Sequence, residues 1–222
     1  MAVEVETQDC TALGDADLAE LADLCADAAL SHEVGLLSKQ VEAWVLITQV
    51  REGDKLKGFA FSTLERIGGT PSVLIGMAAV KRCSKRSTVL RALMNEQLRR
   101  AVLAFPDEDV LVGARMVSAD AFEAYKALND IVPRPGHKAS GEDRAWGRRL
   151  AKRFGVDLDT YDDRRFIAMG DGTPTLALDH ESAKPDDIDA EVTAQFHELD
   201  GQRGDHLIGF GWAMAEDLER LN

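Results

Sequence analysis

The sequence predicts an α+β fold, in which helices flank one central mixed sheet (an α/β mixed sheet) that is mostly antiparallel. Three strand-like runs at 43–50, 55–67 and 72–80 are joined by four-residue polar turns, which is typical of an antiparallel meander. An apolar helical stripe then connects the third run to another strand at 109–117, as in a right-handed β-α-β crossover. A meander and a parallel crossover together predict one mixed sheet.

The N-terminal segment predicts a weak strand followed by two helices. Residues 2–6 alternate weakly between apolar and charged side chains, as in a strand. Asp15 can cap a helix, because apolar residues recur at helical spacing after it. A break at 31–35 precedes a short second helix at 36–42.

The second half of the chain predicts shorter elements after one long helix. That helix begins near Ser87 and has one apolar stripe, made of Leu90, Leu93, Met94, Leu98 and Val102. After the strand at 109–117 we expect a short helix at 118–130, a loop at 132–143, a basic amphipathic helix at 144–154, a strand at 164–170, and weak helices at about 188–200 and 211–221.

Charge is distributed unevenly along the chain. Residues 156–222 carry 17 acidic and five basic residues, whereas residues 1–155 carry 22 and 21. We therefore predict a domain over 1–170 and an acidic C-terminal extension over 171–222, which packs on the core or on a partner subunit, as in a homodimer. The cations of the helix at 144–153 are its expected counterpart. The net charge of −13 argues against a nucleic-acid partner.

Cysteine content and hydropathy predict a reduced, cytoplasmic compartment. The three cysteines lie far apart in the sequence, and neither a CxxC pair nor a Cys/His set with zinc spacing occurs. Residues 1–10 are acidic where a signal peptide needs bases, and no apolar run approaches the ~18–20 residues of a membrane span. The sequence thus predicts neither a metal nor a membrane partner.

A basic loop stands out in this acidic chain. Within eleven residues it carries five cations, namely Lys81, Arg82, Lys85, Arg86 and Arg91. A loop that leaves a strand and enters a helix presents unpaired amides and the positive end of the helix dipole to an anion. We therefore predict a phosphate or pyrophosphate site at this junction. The alternative is a solvated charged loop that merely precedes a helix.

The run LIGMAAVKRCSKRSTVLRALMNEQL resembles the central motif of the GCN5-related N-acetyltransferase (GNAT) superfamily. In that family a strand ends in an apolar residue, a basic loop follows with the pattern (Arg/Gln)-x-x-Gly-x-(Gly/Ala), and the next helix carries paired leucines. Here Val80 takes the strand end and Leu93-Met94 the leucine pair. Thr88 and Leu90 stand where the family has small residues, so the chain resembles a divergent member.

The resemblance implies an acyl-coenzyme A N-acyltransferase-like fold over 1–170, with acetyl-coenzyme A or another acyl-coenzyme A as co-substrate and an amine as acceptor. Tyr125 falls where the family often has a tyrosine that protonates the departing thiolate, which makes it the implied general acid. The resemblance also implies two groups of cofactor-binding residues. The strand end for the pantetheine arm is Ala78, Ala79 and Val80, and the loop and helix start for the pyrophosphate are Lys85, Arg86, Ser87, Thr88 and Val89.

Three polar residues are candidates for the acceptor side of such a site. Glu65 ends the strand beside the central one and is a candidate general base for the amine. Ser118, at the mouth of the strand at 109–117, is a candidate to hold a water molecule. His32 lies between the first two helices, where the family shapes its acceptor pocket. Ordinary surface, capping or loop roles are the alternatives for each.

Two further interpretations of the whole chain stay open beside an N-acetyltransferase. One is a non-catalytic GNAT-fold protein that has lost the glycine pyrophosphate loop and serves in binding or regulation. The other is an unrelated α+β domain without a small-molecule site. The loop at 85–90 separates them, because its missing glycines favour the non-catalytic interpretation while its cations favour the enzyme.

Overall fold

The structure is a computed structural model that describes residues 3–218, which form one mixed sheet with helices on both sides. The helices are α1 (Asp15–Asp27), α2 (Val34–Ala43), α3 (Arg86–Ala104), α4 (Gly141–Arg153), α5 (Ala190–Phe196) and α6 (Ala215–Leu218). The strands are β1 (Glu4–Asp9), β2 (Leu46–Glu52), β3 (Lys55–Ile67), β4 (Thr70–Val80), β5 (Val110–Met116), β6 (Asn129–Val132), β7 (Tyr161–Asp162), β8 (Ile167–Ala168), β9 (Leu178–Asp179) and β10 (His206–Ala213). Their order in the sheet is β1-β2-β3-β4-β9-β5-β10-β8-β7, and β6 pairs with β10. The predicted fold class is confirmed.

β2, β3 and β4 form the antiparallel meander that the sequence predicts, and β1 adds a fourth antiparallel strand beside β2. β2 pairs with β1 and β3, and β3 pairs with β4, all in antiparallel register. The turns are tighter than expected, because the strands extend into the predicted four-residue loops. Between β3 and β4 only Gly68 and Gly69 remain, with φ of +60° and +92°, and glycine adopts such angles without strain.

Helices cover both faces of the sheet. α3 connects β4 to β5, which run parallel, and buries the predicted stripe on one face. The opposite face carries α1, α2 and α4, whose buried side chains include Leu21, Leu37 and Leu150. They pack in one cluster with the aromatic side chains of Phe59 and Phe61. Full burial of such a side chain stabilises the fold by roughly 1.5–3 kcal/mol.

The chain beyond residue 170 belongs to the same sheet. β10 lies antiparallel to β5, from Leu207 opposite Met116 to Ala213 opposite Val110. β9 lies between β4 and β5. The region predicted as an acidic extension thus contributes two strands to the sheet, and the domain division at residue 170 remains a prediction.

One predicted helix near the C-terminus is only partly present. Of the helix expected over 211–221, residues 211–213 belong to β10, α6 covers Ala215–Leu218, and residues 219–221 lie outside the described part of the chain. The run HLIGFGWA of β10 is buried because β5 flanks it on one side and β6 and β8 on the other. Gly211 packs tightly, because a Cβ atom there would lie 3.0 Å from Leu128 Cβ, whereas a Cβ atom on Gly209 would make ordinary contact with Tyr125.

Other elements are shorter than predicted. The helix expected at 118–130 is a 3-10 helix over Ala119–Tyr125, and β6 follows it. The strand expected at 164–170 is reduced to β8, which forms a small antiparallel hairpin with β7. Pairing with distant strands sets these elements, and local periodicity does not report such pairing.

Candidate active site

β4 and β5 pair side by side at one end and separate at the other. Their parallel pairing runs from Ser72 opposite Leu111 to Ile75 opposite Ala114 and stops there. Gly76, the next residue of β4, is the extra residue of a β-bulge against β3. Because a bulge bends its strand, β4 turns away and a gap opens between the two strands.

Trp44, which directly follows α2, holds the bulge in place. A Cβ atom on Gly76 would lie 1.8 Å from Trp44 Cε2, so the indole fills the space that any side chain there would need. The indole Nε1 donates to Gln40 Oε1 at 3.1 Å. Arg115 of β5 closes the base of the gap, since its Nη2 donates to the Gly76 carbonyl oxygen at 2.9 Å.

A segment of the C-terminal region occupies the gap. β9 pairs with β4 as a parallel neighbour, with Leu178 opposite Ala78. The Ala78 amide donates to the carbonyl oxygen of Ala177 at 3.1 Å. Leu178 also pairs with Met116 of β5 and has no exposed surface. We call residues 177–182 the internal strap.

The basic loop after β4 binds the internal strap. Arg82 Nη2 lies 3.0 and 2.8 Å from the two carboxylate oxygens of Asp179. Arg86 donates to the carbonyl oxygens of Glu181 and Ser182, at 2.8 and 3.0 Å. The cations predicted to hold phosphates therefore hold a carboxylate and two carbonyl groups of the chain itself.

Polar contacts fix the far end of the internal strap to the 3-10 helix. His180 Nε2 donates to Glu123 Oε2 at 3.0 Å, because a carboxylate can only accept. Ser182 Oγ donates to Glu123 Oε1 at 2.6 Å, and the Ser182 amide donates to Asp120 Oδ2 at 2.9 Å. Burial raises the pKa of Glu123, but these donors outweigh it and hold that pKa below its ordinary value. The internal strap is thus held at both ends.

The predicted pairing of the acidic region with the basic helix, now α4, is only partly present. Arg148 of α4 forms an ion pair with Asp163. Arg153 pairs instead with Glu65, whose Oε1 lies 2.5 Å from Arg153 Nε. The loop cations are the other partners of the acidic region, through the contacts of the internal strap.

The start of α3 keeps the exposed character of an anion site. Ser87 and Thr88 are exposed, whereas Val89 and Leu90 are buried in the core. Leu90, at a position where the family motif has a small residue, therefore points inward. Lys85 forms an ion pair with a glutamate of β2.

Most of the predicted cofactor-binding residues lie together at the gap. One group lies on β4 and forms a wall of the gap, and the other lies at the start of α3. The two groups are Ala78, Ala79 and Val80, and Lys85, Arg86, Ser87 and Thr88. The side chain of Val89 is part of the core beneath them.

Tyr125 lies inside the core instead of beside the gap. Its hydroxyl donates to the carbonyl oxygen of Gly209 at 2.9 Å, in β10, and β10 is on the far side of β5 from β4. The side chain has no exposed surface, and this burial raises the pKa of the hydroxyl. In this arrangement the hydroxyl is engaged inside the fold and presents no surface to a ligand.

The two residues predicted to serve the acceptor lie at opposite ends of the sheet. Glu65 is opposite Ser72, six residues before Ala78. At about 3.3 Å per residue this is about 20 Å from Ala78. Glu65 pairs with Arg153, whose guanidinium lies 5.6 Å from the centre of the Trp44 ring, so Glu65 lies toward the closed end of the gap and not at its open end. Ser118 follows β5 at the open end of the gap and is partly exposed.

Sequence reasoning missed the internal strap. Only three consecutive apolar residues, LAL, precede Asp179, and such a short run does not predict a strand. The available signal was charge, because acids at 179 and 181 complement the basic loop. His32 is buried, and burial lowers its pKa although the nearby Asp179 acts in the opposite direction.

Two kinds of feature are absent from the described residues, 3–218. No helix in this range is both long and apolar enough to cross a membrane. No group of three or more His, Cys, Asp or Glu side chains is arranged there to hold a metal ion.

Comparisons with known proteins detect the fold but no relative by sequence. No protein-family model and no curated protein matches the sequence. The solved ribosomal-protein-S18-alanine N-acetyltransferase from Escherichia coli matches with a TM-score of 0.50 and 12% identity, over 95% of each chain. An acetyltransferase from Bacillus subtilis in complex with CoA matches with a TM-score of 0.41 and 13% identity, over 96% of this chain and 100% of that one.

The Escherichia coli structure matches nearly the whole chain, including the region beyond residue 170. Its identity of 12% makes this a likeness of fold. The meander, the β4–α3–β5 connection and the motif that resembles the GNAT superfamily agree with it. This chain therefore has an acyl-coenzyme A N-acyltransferase-like fold, the fold of that N-acetyltransferase.

Proposed function

We propose that this protein is an acyl-coenzyme A-dependent N-acyltransferase in a self-blocked state, with the internal strap in place of the cofactor. The observation that carries the proposal is the content of the gap. An extended peptide with backbone amides leads there to a carboxylate on Arg82 and carbonyl groups on Arg86. Acyl-coenzyme A has the same chemical order, because an extended arm with amide groups leads to a diphosphate.

The residues around the gap fit this cofactor once the internal strap has moved away. The β4 backbone at 78–80 can pair with the amides of the arm, and Arg82 and Arg86 can receive phosphates. The start of α3, where Ser87 and Thr88 are exposed, adds the positive end of the helix dipole.

The chemistry of the reaction comes from the cofactor and the acceptor together. When bound, acyl-coenzyme A supplies a thioester, whose acyl carbon the amine nitrogen attacks, so that a C–N bond forms, the C–S bond breaks and the proton released by nitrogen ends on the thiolate. The chain contributes binding and orientation in this proposal. Tyr125 as general acid would first have to leave the Gly209 oxygen, and so we assign it a structural role.

Weakening the internal strap should tighten binding of the coenzyme. Asp179→Asn removes the carboxylate that occupies Arg82, and a hydrogen bond to a charged group contributes roughly 1.5–3 kcal/mol. Because about 1.4 kcal/mol corresponds to a factor of ten, we expect the Kd for acetyl-coenzyme A to fall at least tenfold. Isothermal titration calorimetry on the wild type and the variant measures it.

A matched control separates this effect from a general change of charge. Asp186→Asn makes the same charge change at an exposed position just beyond the internal strap and should leave the Kd unchanged. Absence of binding to the wild type and to both variants at millimolar acetyl-coenzyme A would remove the enzyme proposal.

A second candidate function is a non-catalytic binding or regulatory protein of the same fold. The complete burial of Leu178 in the gap favours it, because a strand built into the sheet blocks the cofactor permanently. Under this alternative Asp179→Asn lowers stability without creating a coenzyme site. The calorimetric comparison therefore distinguishes the two functions.

A further inference from the structure

A cavity of about 470 Å³ lies beside the base of the gap, on the face of the sheet that carries α4. Its walls come from β5, the end of α4, the loop after β8 and the start of β10. Its main side chains are Arg115, Phe154, Val156, Met169, Leu176 and His206. The lining is mixed, because three threonines and two aspartates stand beside the apolar side chains, and Arg115 and His206 are its two nitrogen-bearing side chains.

Arg115 places a positive charge at this cavity without an acidic partner. Its Nη2 donates to the Gly76 carbonyl oxygen, and its guanidinium lies 5.3 Å from the centre of the Phe154 ring. Its Nε is covered and meets no acceptor within residues 3–218. Burial lowers the pKa of Arg115 to about 10, and no nearby described carboxylate offsets that effect. The Arg115 residue is half-buried at the cavity. A charge that is largely removed from water is normally paired, so this one favours an anionic ligand.

His206 offers a hydrogen-bond acceptor at the same cavity. Its Nδ1 lies 3.2 Å from the Gly204 carbonyl oxygen and must carry the proton, because a carbonyl can only accept. Its Nε2 is then an unprotonated acceptor, buried and unpartnered in the described part of the chain. Burial and the charge of Arg115 lower the pKa of His206 to about 4, against the opposing effects of Gly204 and Asp205.

The register of the sheet sets the distance between these two groups. Arg115 lies opposite Ile208, and His206 is two residues earlier on the same face of β10. Diagonal neighbours of this kind are about 7–8 Å apart, which suits one small ligand that contacts both side chains. The exposed Asp157 and Asp171 also line the cavity, and they favour a ligand that carries a positive group beside its negative one.

We propose that this cavity binds an apolar α-amino acid, whose carboxylate pairs with Arg115 and whose amino group donates to His206 Nε2. Its apolar side chain packs against the apolar lining. Because Arg115 also contacts Gly76, the carboxylate end of the bound amino acid lies next to the base of the gap. Binding itself does not depend on acyl transfer, whereas the role of this amino acid as acyl acceptor rests on the proposed function.

Calorimetric titrations without any coenzyme test the site. L-leucine, L-methionine and L-phenylalanine serve as probes, and we expect at least one to saturate the protein at millimolar concentration or below. 2-Phenylethylamine lacks the carboxylate and should bind at least tenfold more weakly than L-phenylalanine. 3-Phenylpropanoate lacks the amino group and should also bind more weakly.

Variants tie the binding to the two side chains. Arg115→Met keeps a long side chain but removes the charge and should weaken binding at least tenfold. The matched control is Arg149→Met, because Arg149 stacks on Trp146 outside the cavity, 4.5 Å from the ring centre. His206→Asn retains a hydrogen-bond donor toward the Gly204 carbonyl but removes Nε2. It should therefore weaken binding of the amino acid and leave binding of 3-phenylpropanoate unchanged. This variant decides the question if Arg115→Met does not fold.

Two results would overturn the site, namely that none of the three amino acids binds or that both cavity variants bind as the wild type does. If the wild type binds an amino acid, the cavity variants lose that binding, and the wild type transfers no acyl group to the bound amino acid, the result would contradict the proposed function alone. Acyl transfer to other amines with no amino-acid binding would contradict the site alone.

Discussion

At the scale of single residues, the two buried tyrosines of the chain have opposite hydrogen-bonding states. Tyr125 donates to the Gly209 oxygen, whereas the buried Tyr161 hydroxyl has no partner in the described part of the chain. Tyr125→Phe should therefore lower the free energy of unfolding by about 1 kcal/mol, since a hydrogen bond is lost. Tyr161→Phe should leave it unchanged or raise it, because an unsatisfied hydroxyl is removed. Urea unfolding of both variants measures this contrast.

The same Tyr125 variant separates a structural role from catalysis. Under the structural role, release of free thiol from acetyl-coenzyme A in the presence of an amine should change less than threefold. General acid catalysis typically contributes 10²–10⁴-fold, so a loss of that size with unchanged stability would restore Tyr125 as the acid.

Single residues also mark the limit of what the sequence could predict about the site. The motif located the β4 wall and the start of α3 correctly, because both belong to one continuous stretch of chain. It could not foresee that the Tyr125 hydroxyl faces Gly209, which lies 84 residues away in sequence. The role of a polar side chain depends on such distant partners, and periodicity carries no information about them.

At the scale of elements, the bulge at Gly76 decides where β4 and β5 part. Gly76→Ala puts a Cβ atom within 2.1 Å of two carbon atoms of the buried Trp44 ring. The ring or β4 must shift, and overpacking of this kind typically costs about 1–3 kcal/mol, occasionally more. We expect the free energy of unfolding to fall by at least 2 kcal/mol on this scale, measured by urea denaturation.

The matched control for this change is Gly35→Ala, within α2. A Cβ atom there meets nothing within 4 Å, and alanine in a helix is favoured over glycine by roughly 0.5–1 kcal/mol. Stability should therefore rise at position 35 and fall at position 76. Equal effects at the two positions would show that Trp44 does not hold the bulge.

Element length explains which strands the sequence could predict. The strands of the meander have 7, 13 and 11 residues, and their apolar and β-branched composition identified each of them. β9 has two residues and pairs with strands about 60 to 100 positions earlier in the chain. Its formation depends on the bulge that opens the gap, which no local pattern in residues 171–182 records.

At the scale of the whole molecule, the uneven charge has a structural counterpart. The acidic C-terminal region folds back across the sheet and places Asp179 and Glu181 on the basic loop. Charge alone predicted that the acidic C-terminal region is attracted to a basic part of the chain. It did not predict which cations form the contacts, because both the basic loop and α4 carry them. The contact with the basic loop holds the C-terminal region at the gap. Whether the internal strap stays in the gap therefore depends on Arg82 and Arg86, the same cations that a cofactor would require.

Three buried histidines make the stability of the whole fold sensitive to mild acid. Burial lowers the pKa of His32, His180 and His206, the last to about 4, whereas an unfolded histidine titrates near 6.5. As the pH falls below about 6.5, the unfolded chain binds protons that the folded chain does not, so stability falls. At pH 5 His206 alone accounts for about 2 kcal/mol, with Arg115 and Asp205 as the charged groups beside it.

Urea unfolding at pH 7, 6 and 5 tests this dependence against a matched pair of variants. His206→Asn removes one of the three titrating groups and should flatten the profile, whereas the exposed His197→Asn should leave it steep. The buried Asp179 acts in the opposite direction, because burial raises its pKa despite Arg82, and its protonation in the folded state offsets part of the loss. A wild-type profile that stays flat from pH 7 to 5 would show that the buried histidines titrate in the folded protein, which requires water to reach the cavity and the internal strap.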